Sequence, residues 1–158
     1  MIPQPSYVMP PRSDIVAYSL DHSPVLAVEC KRGKQTSPQS AALLRRNLIT
    51  HQLMPDAPYF LLAFSTGFFL WLEKTPPGEP PDFSASAKSV LKEYLGKLAE
   101  DTGDVRDEGL PLVLFSWLAD LADAIRQPDP NSEADQMLVK SGLYDKIRFG
   151  EVKFEGVS

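Results

Sequence analysis

Arg12-Ser13-Asp14-Ile15-Val16-Ala17-Tyr18-Ser19-Leu20-Asp21-His22-Ser23-Pro24-Val25-Leu26-Ala27-Val28-Glu29-Cys30-Lys31 is the stretch that decides the fold. Ile15 to Leu20 is apolar and rich in β-formers. Asp21 to Pro24 has the composition of a turn, and Val25 to Lys31 resumes the β pattern. The whole reads as a hairpin. If Leu20 faces Val25 across the turn, paired numbers sum to a constant and Asp14 falls opposite Lys31. Opposed residues share a sheet face, and so do residues two apart on one strand. Asp14, Glu29 and Lys31 then project together. A one-residue slip would send Asp14 to the other face. Two carboxylates on one face can hold a hard divalent cation through oxygen. Such a cation activates water and stabilises charge on a phosphate, and a lysine beside it can position that water. The same three residues also fit plain solvent-facing charges on an amphipathic hairpin.

Downstream, Ser37-Pro38 is a helix start, with Ser37 as cap and Pro38 at the first helical position. The helix is expected to run to about Leu53 and stop before Pro55. Ala41, Leu44 and Leu48 form its apolar stripe, and Gln39, Arg46 and Thr50 a polar one. Gln39, Arg45 and Arg46 suit either a solvated face or phosphate contact. Arg32 and Lys34, in the loop after Lys31, suit phosphate contact or simple solubility. Tyr59 to Phe64 is an apolar run of buried-strand length, and Phe68 to Leu72 is a further strand. Pro76 to Pro81 reads as a stiff linker between a strand-rich first half and a helical second half. Ser84 is expected to cap a helix over Ala85–Leu98. Thr102 to Gly109 is an acidic loop. Pro111 opens an apolar helix whose stripe is Val113, Leu114, Trp117, Leu118, Leu121 and Ile125. Ser132 with Asp135 caps a last helix ending at Gly142, and Ile147 to Phe154 is a candidate tail strand.

The pattern Arg12-Ser13-Asp14-Ile15-Val16, then Leu26-Ala27-Val28-Glu29-Cys30-Lys31, then a helix with Gln39 and the strand Tyr59–Phe64, resembles the PD-(D/E)XK nuclease superfamily. The resemblance covers roughly residues 6–73. It implies a restriction-endonuclease-like α/β (α+β) fold, a mixed sheet flanked by helices, with an αβββαβ core. It implies Mg²⁺ (or Mn²⁺) dependence and phosphodiester hydrolysis, with DNA as the expected substrate. Asp14, Glu29 and the backbone carbonyl of Cys30 would be metal ligands, and Lys31 the catalytic lysine. Arg32, Lys34, Gln39 and Arg46 would contact nucleic acid. Ser13 stands where the family usually has proline. Only thirteen residues precede Asp14, room for a short strand at Tyr7–Met9 but not for the family's opening helix. Either the C-terminal helices replace that helix, or the chain is a truncated or module form. The alternative function is accordingly a catalytically inactive nuclease-like module for nucleic-acid or protein interaction.

At 158 residues the chain has the length of one ordinary domain. The expectation is a single domain over 1–158, its nuclease-like core at 6–74 and a helical part at 82–158 packed upon it. The net charge of −5 counts against a uniformly basic nucleic-acid binder, yet Lys31 to Arg46 holds five cations and no acid. A single cysteine excludes an internal disulfide and any cysteine-rich zinc site, and Cys30 reads as an inert strand thiol. His22 and His51 have no partner at ligand spacing. Tyr7 suits core packing or base stacking. No apolar run spans a bilayer and no signal peptide is evident, so a soluble cytoplasmic protein without a membrane partner is expected. A homodimer or a larger defence or repair complex completes the expectations.

Overall fold

The computed structural model describes residues 14–102 and 109–155, with the backbone alone at 97–102. It is a mixed α/β structure, one six-stranded sheet with five helices. The strands are β1 (Ile15–Tyr18), β2 (Pro24–Cys30), β3 (Tyr59–Phe64), β4 (Gly67–Leu72), β5 (Phe83–Ser86) and β6 (Glu151–Phe154), in the order β5-β4-β3-β2-β1-β6. Only β2 and β3 run parallel. Parallel neighbours need a crossover, which helix α1 (Pro38–Thr50) supplies. The expected order of hairpin, helix and strand is therefore present, and the strand lies parallel to β2.

The hairpin register differs from the expected one. Ile15 faces Val28 and Ala17 faces Leu26, with an irregularity before Tyr18. The cause is the turn. Asp21 Oδ1 accepts the Ser19 hydroxyl and the Ser23 N–H, and Ser19 N–H donates to Ser23 carbonyl at 2.9 Å. His22 takes a left-handed φ of 69°. This turn removes Leu20 from the ladder and leaves it 68% exposed. From Ala17 and Leu26 onward the pairing shifts by two residues rather than one, so the side chains from there to Asp14 and Lys31 keep their faces. Beyond the irregularity Tyr18 meets Pro24, and Val25 joins Leu26 in the same core.

Even-numbered β2 residues Leu26 and Val28 join Ile15, Ala17, Leu61, Phe68 and Leu70 in a core shared with four helices. These are α2 (Lys88–Thr102), α3 (Leu110–Ala122), α4 (Glu133–Lys140) and α5 (Leu143–Ile147). Trp117 of α3 stacks on Phe68 with ring centroids 5.4 Å apart, and both are fully buried. Its indole N–H reaches the buried Asp135 carboxylate at 2.8 Å. That carboxylate also accepts Arg126 Nη2 at 2.6 Å and the Asp129 N–H at 2.8 Å. A buried charge persists only when so fully partnered. The opposite face carries Ala27, Phe60, Leu62, Phe69 and Trp71 beneath Ala41 of α1.

Several sequence expectations are corrected. The proline-rich segment is a fold-back, not an extended spacer. Asp82 accepts the Leu72 N–H and the Thr75 hydroxyl, and Trp71 Nε1 donates to Glu79 carbonyl. This returns the chain alongside β4 as β5. Ser84 lies in that strand, so it caps nothing; the helix begins at Lys88, with Ser86 Oγ accepting the Lys88 N–H. Ser37 does cap α1, which ends at Thr50 rather than near Leu53. Ser132 does accept the Asp135 N–H and cap α4, but α4 ends at Lys140. Gly142, at φ 84°, starts the separate helix α5, a conformation glycine adopts at little cost. The tail strand is shorter than expected because α5 runs through Ile147. Ile125 lies past the end of α3 and is 73% exposed, so it leaves the Trp117 stripe. The expected strand at Tyr7–Met9 and most of the acidic loop lie outside the described residues.

Candidate functional site

Asp14 sits immediately before β1, and its Oδ2 accepts the Cys30 N–H at 2.7 Å. This bond ties the start of β1 to the end of β2. Continued by one residue, the β1–β2 register sets Asp14 opposite Glu29, not opposite Lys31 as expected. Both acids, with Lys31 two residues on, share the sheet face that carries Ala27 and α1. All three are half-buried. The Lys31 N–H donates to Ala63 carbonyl at 2.8 Å, which fixes the backbone from which the lysine departs.

The electrostatics follow from this placement. Burial pushes the Glu29 carboxyl up to about 7, the Asp14 charge pushes in the same direction, and Lys31 opposes them. Burial, then Asp14 and Glu29, raise the Cys30 thiol well above its ordinary range, so it is inert. Glu29 is thus a carboxyl whose charged form lacks compensation at neutral pH. A divalent cation between it and Asp14 would supply that compensation.

Sequence reasoning missed Glu155. The β1–β6 register places it on the other side of Asp14, and its N–H donates to Asp14 carbonyl at 3.1 Å. Its Oε2 accepts the Tyr18 hydroxyl at 2.7 Å, and the Tyr18 pKa is pushed up to about 12, by burial first and then by Glu155. The tail strand was expected, but nothing in the sequence specified its neighbour.

The other expected residues divide. Arg32 and Lys34 are exposed on the loop leaving Lys31, and Gln39 and Arg46 are exposed on α1. Arg45 is not a surface cation. It is only 4% exposed, stands over Trp71 at 5.6 Å, and donates to the carbonyls of Pro76 and Leu72 at 3.4 Å. It braces the fold-back, and burial lowers its pKa. Arg12, Ser13 and Tyr7 lie outside the described residues.

The donor set suits a hard cation of low protein-ligand demand. Among the described residues, no three His, Cys, Asp or Glu side chains converge. Mg²⁺ commonly takes one or two carboxylates and keeps several waters. Asp14 has one carboxylate oxygen outside the Cys30 bond. The Cys30 N–H points toward Asp14, and strand alternation directs its carbonyl to the same edge. Among the described residues, no helix is long and apolar enough to cross a membrane. Comparison with known proteins gives no match to a family model, to a curated protein or to a solved structure.

Proposed function

We propose that this chain is a metal-dependent nuclease that hydrolyses phosphodiester bonds, with DNA as its substrate. One observation carries the reading: the β1–β2 register, continued by one residue, sets Asp14 opposite Glu29 on a single sheet face, with Lys31 beside them and burial pushing the Glu29 carboxyl up to about 7. A purely structural hairpin has no reason to place two half-buried acids side by side, because each raises the cost of ionising the other. Asp14, Glu29 and the Cys30 carbonyl would hold Mg²⁺ or Mn²⁺. Bound there, the ion would lower the pKa of a water and neutralise phosphate charge.

The chain's own residues then have distinct tasks. Lys31 orients the attacking water or steadies the negative charge that develops on the phosphate. The Cys30 N–H holds the Asp14 carboxylate in place. Arg32 and Lys34, with Gln39 in the first turn of α1, supply donors and charge for the sugar-phosphate backbone beside the site, while Arg46 lies by Gly78 of the fold-back and would meet the backbone only farther along. These cations offset the net charge of −5 locally.

The decisive assay is nicking of supercoiled and linear DNA with Mg²⁺, Mn²⁺ or chelator. Wild type should cleave only with the ion, and Glu29→Ala should abolish both cleavage and the ion-induced rise in melting temperature. If wild type leaves supercoiled, linear and single-stranded DNA and RNA uncut under every ion, the nuclease reading fails. The second reading, a catalytically inactive module for nucleic-acid or protein interaction, then takes its place. What favours that reading is that, among the described residues, no third carboxylate converges on Asp14 and Glu29.

A further inference from the structure

Among the described residues the outer edge of β6 is open, and its residues are arranged to meet a copy of themselves. Among the described residues β6 pairs on one side only, with β1. Glu155 N–H donates to Asp14 carbonyl, so by antiparallel alternation Lys153 and Glu151 also turn their peptide groups toward β1. Val152 and Phe154 turn theirs outward. A two-fold axis through Val152 would let two Val152 residues exchange N–H···O=C bonds in both directions. The same axis sets Glu151 opposite the partner copy's Lys153, and Lys153 opposite the partner's Glu151. Both side chains are about half exposed and meet within the chain only at 3.6 Å. Opposite charges at directly opposed positions favour such pairing, whereas unprotected edges otherwise carry repelling charges.

The sheet's helix-covered face adds an apolar surface along the same edge. Phe154 is 53% exposed and stacks on Phe115 of α3, with centroids 4.5 Å apart and planes 10° apart. Leu112, one turn before Phe115, is 43% exposed. Large apolar side chains beside an open strand edge mark an interface rather than a free surface.

We infer that this chain forms a two-fold symmetric homodimer in which the two β6 edges pair antiparallel about Val152 and the Leu112–Phe115–Phe154 surfaces cover one another. The axis stands perpendicular to the joined sheet, so both Asp14–Glu29–Lys31 faces open on the same side. Strand spacings of about 4.8 Å and a rise of about 3.4 Å per residue put the two acid pairs roughly 25–30 Å apart on a flat sheet. The dimer does not depend on the nuclease reading, and its test involves no cleavage.

Light scattering coupled to gel filtration over a dilution series measures it. Wild type should approach twice the 17.5 kDa of one chain. Val152→Pro removes an outward-facing donor, a change an edge strand accepts, together with part of a half-buried side chain packed on the core. It should give a folded monomer whose melting temperature falls by a few degrees, about as far as that of Val152→Ala, which keeps the donor and should stay dimeric. Lys153→Glu creates two like-charge contacts across the axis and should weaken association about tenfold or more. Glu151→Lys combined with Lys153→Glu should restore it. A wild type that is monomeric at every concentration overturns the inference. So does a dimer indifferent to both Val152→Pro and Lys153→Glu, or one that the double exchange fails to rescue.

Discussion

Replacing Glu29 by glutamine should make the protein more stable at alkaline pH and blind to Mn²⁺. The carboxyl ordinarily ionises at 4.5 and is pushed up to about 7 here, by burial first and by Asp14 second. Between those two values the folded protein keeps a proton that the unfolded chain has released. Stability from this group is therefore fully present below about pH 4.5 and is lost as pH rises through about 7. At about 1.36 kcal/mol per unit, the full displacement amounts to roughly 3 kcal/mol. The side chain is part-exposed, so solvent screening reduces this to about 1–2 kcal/mol. For a chain of this size that is about 3–6 °C in melting temperature.

The assay is chemical denaturation of wild type and Glu29→Gln at pH 4.5, 6 and 8, each with and without Mn²⁺. Wild type should lose about 1–2 kcal/mol relative to the variant between the extremes. At pH 8 a saturating ion should reverse the order. An ion at a hundred times its dissociation constant contributes about 2.7 kcal/mol by mass action, which exceeds the cost of the uncompensated charge. Glu29→Gln, with one carboxylate gone, should gain little. Parallel pH profiles for the two proteins would refute the assigned electrostatics. Equal Mn²⁺ stabilisation of the two would place the ion elsewhere.

Lys31→Ala should leave stability within about 0.5 kcal/mol, retain Mn²⁺ binding and reduce cleavage by about two orders of magnitude or more, separable by melting curves and nicking kinetics. Asp135→Ala should cost about 2–4 kcal/mol in urea denaturation, because it leaves the buried Trp117 indole N–H without its acceptor and takes from the half-buried Arg126 one of its two carboxylate partners, Glu93 remaining. A fragment ending at Lys74 should be insoluble or unfolded by circular dichroism. It would expose Ile15, Leu26, Leu61 and Phe68, which are buried beneath the C-terminal helices, and would lack β5 and β6.

Local chemistry made much of the fold legible. Ser37-Pro38 and Ser132–Asp135 announced two helix starts because capping is a matter of a few adjacent atoms. Tyr59–Phe64 announced a central strand because six consecutive residues had to be buried on both faces. Strand β5 stayed hidden because Phe83-Ser84-Ala85-Ser86 is short and polar. Its strand state comes from pairing with β4, and Ser84 imitates a cap. Arg45 was unreadable for the same reason: its burial depends on Trp71 and on carbonyls about thirty positions away. The α5 turn followed Gly142, whose left-handed backbone also suits the simple end of a helix.

The candidate site shows which kind of inference survives an error in detail. The expected register paired Asp14 with Lys31, whereas the observed one brings Asp14 opposite Glu29. The face assignment survived because the displacement is even, and a strand's two faces repeat every second residue. The new pairing matters chemically. Opposed to Lys31, Asp14 would have been a neutralised partner in an ordinary surface ion pair. Opposed to Glu29, and held by the Cys30 N–H, it becomes the second cause of that acid's raised pKa. The two-residue turn shift thus changes a pair of opposite charges into a pair of like ones. A like pair in a half-buried position is the arrangement for which an added divalent cation brings the largest gain.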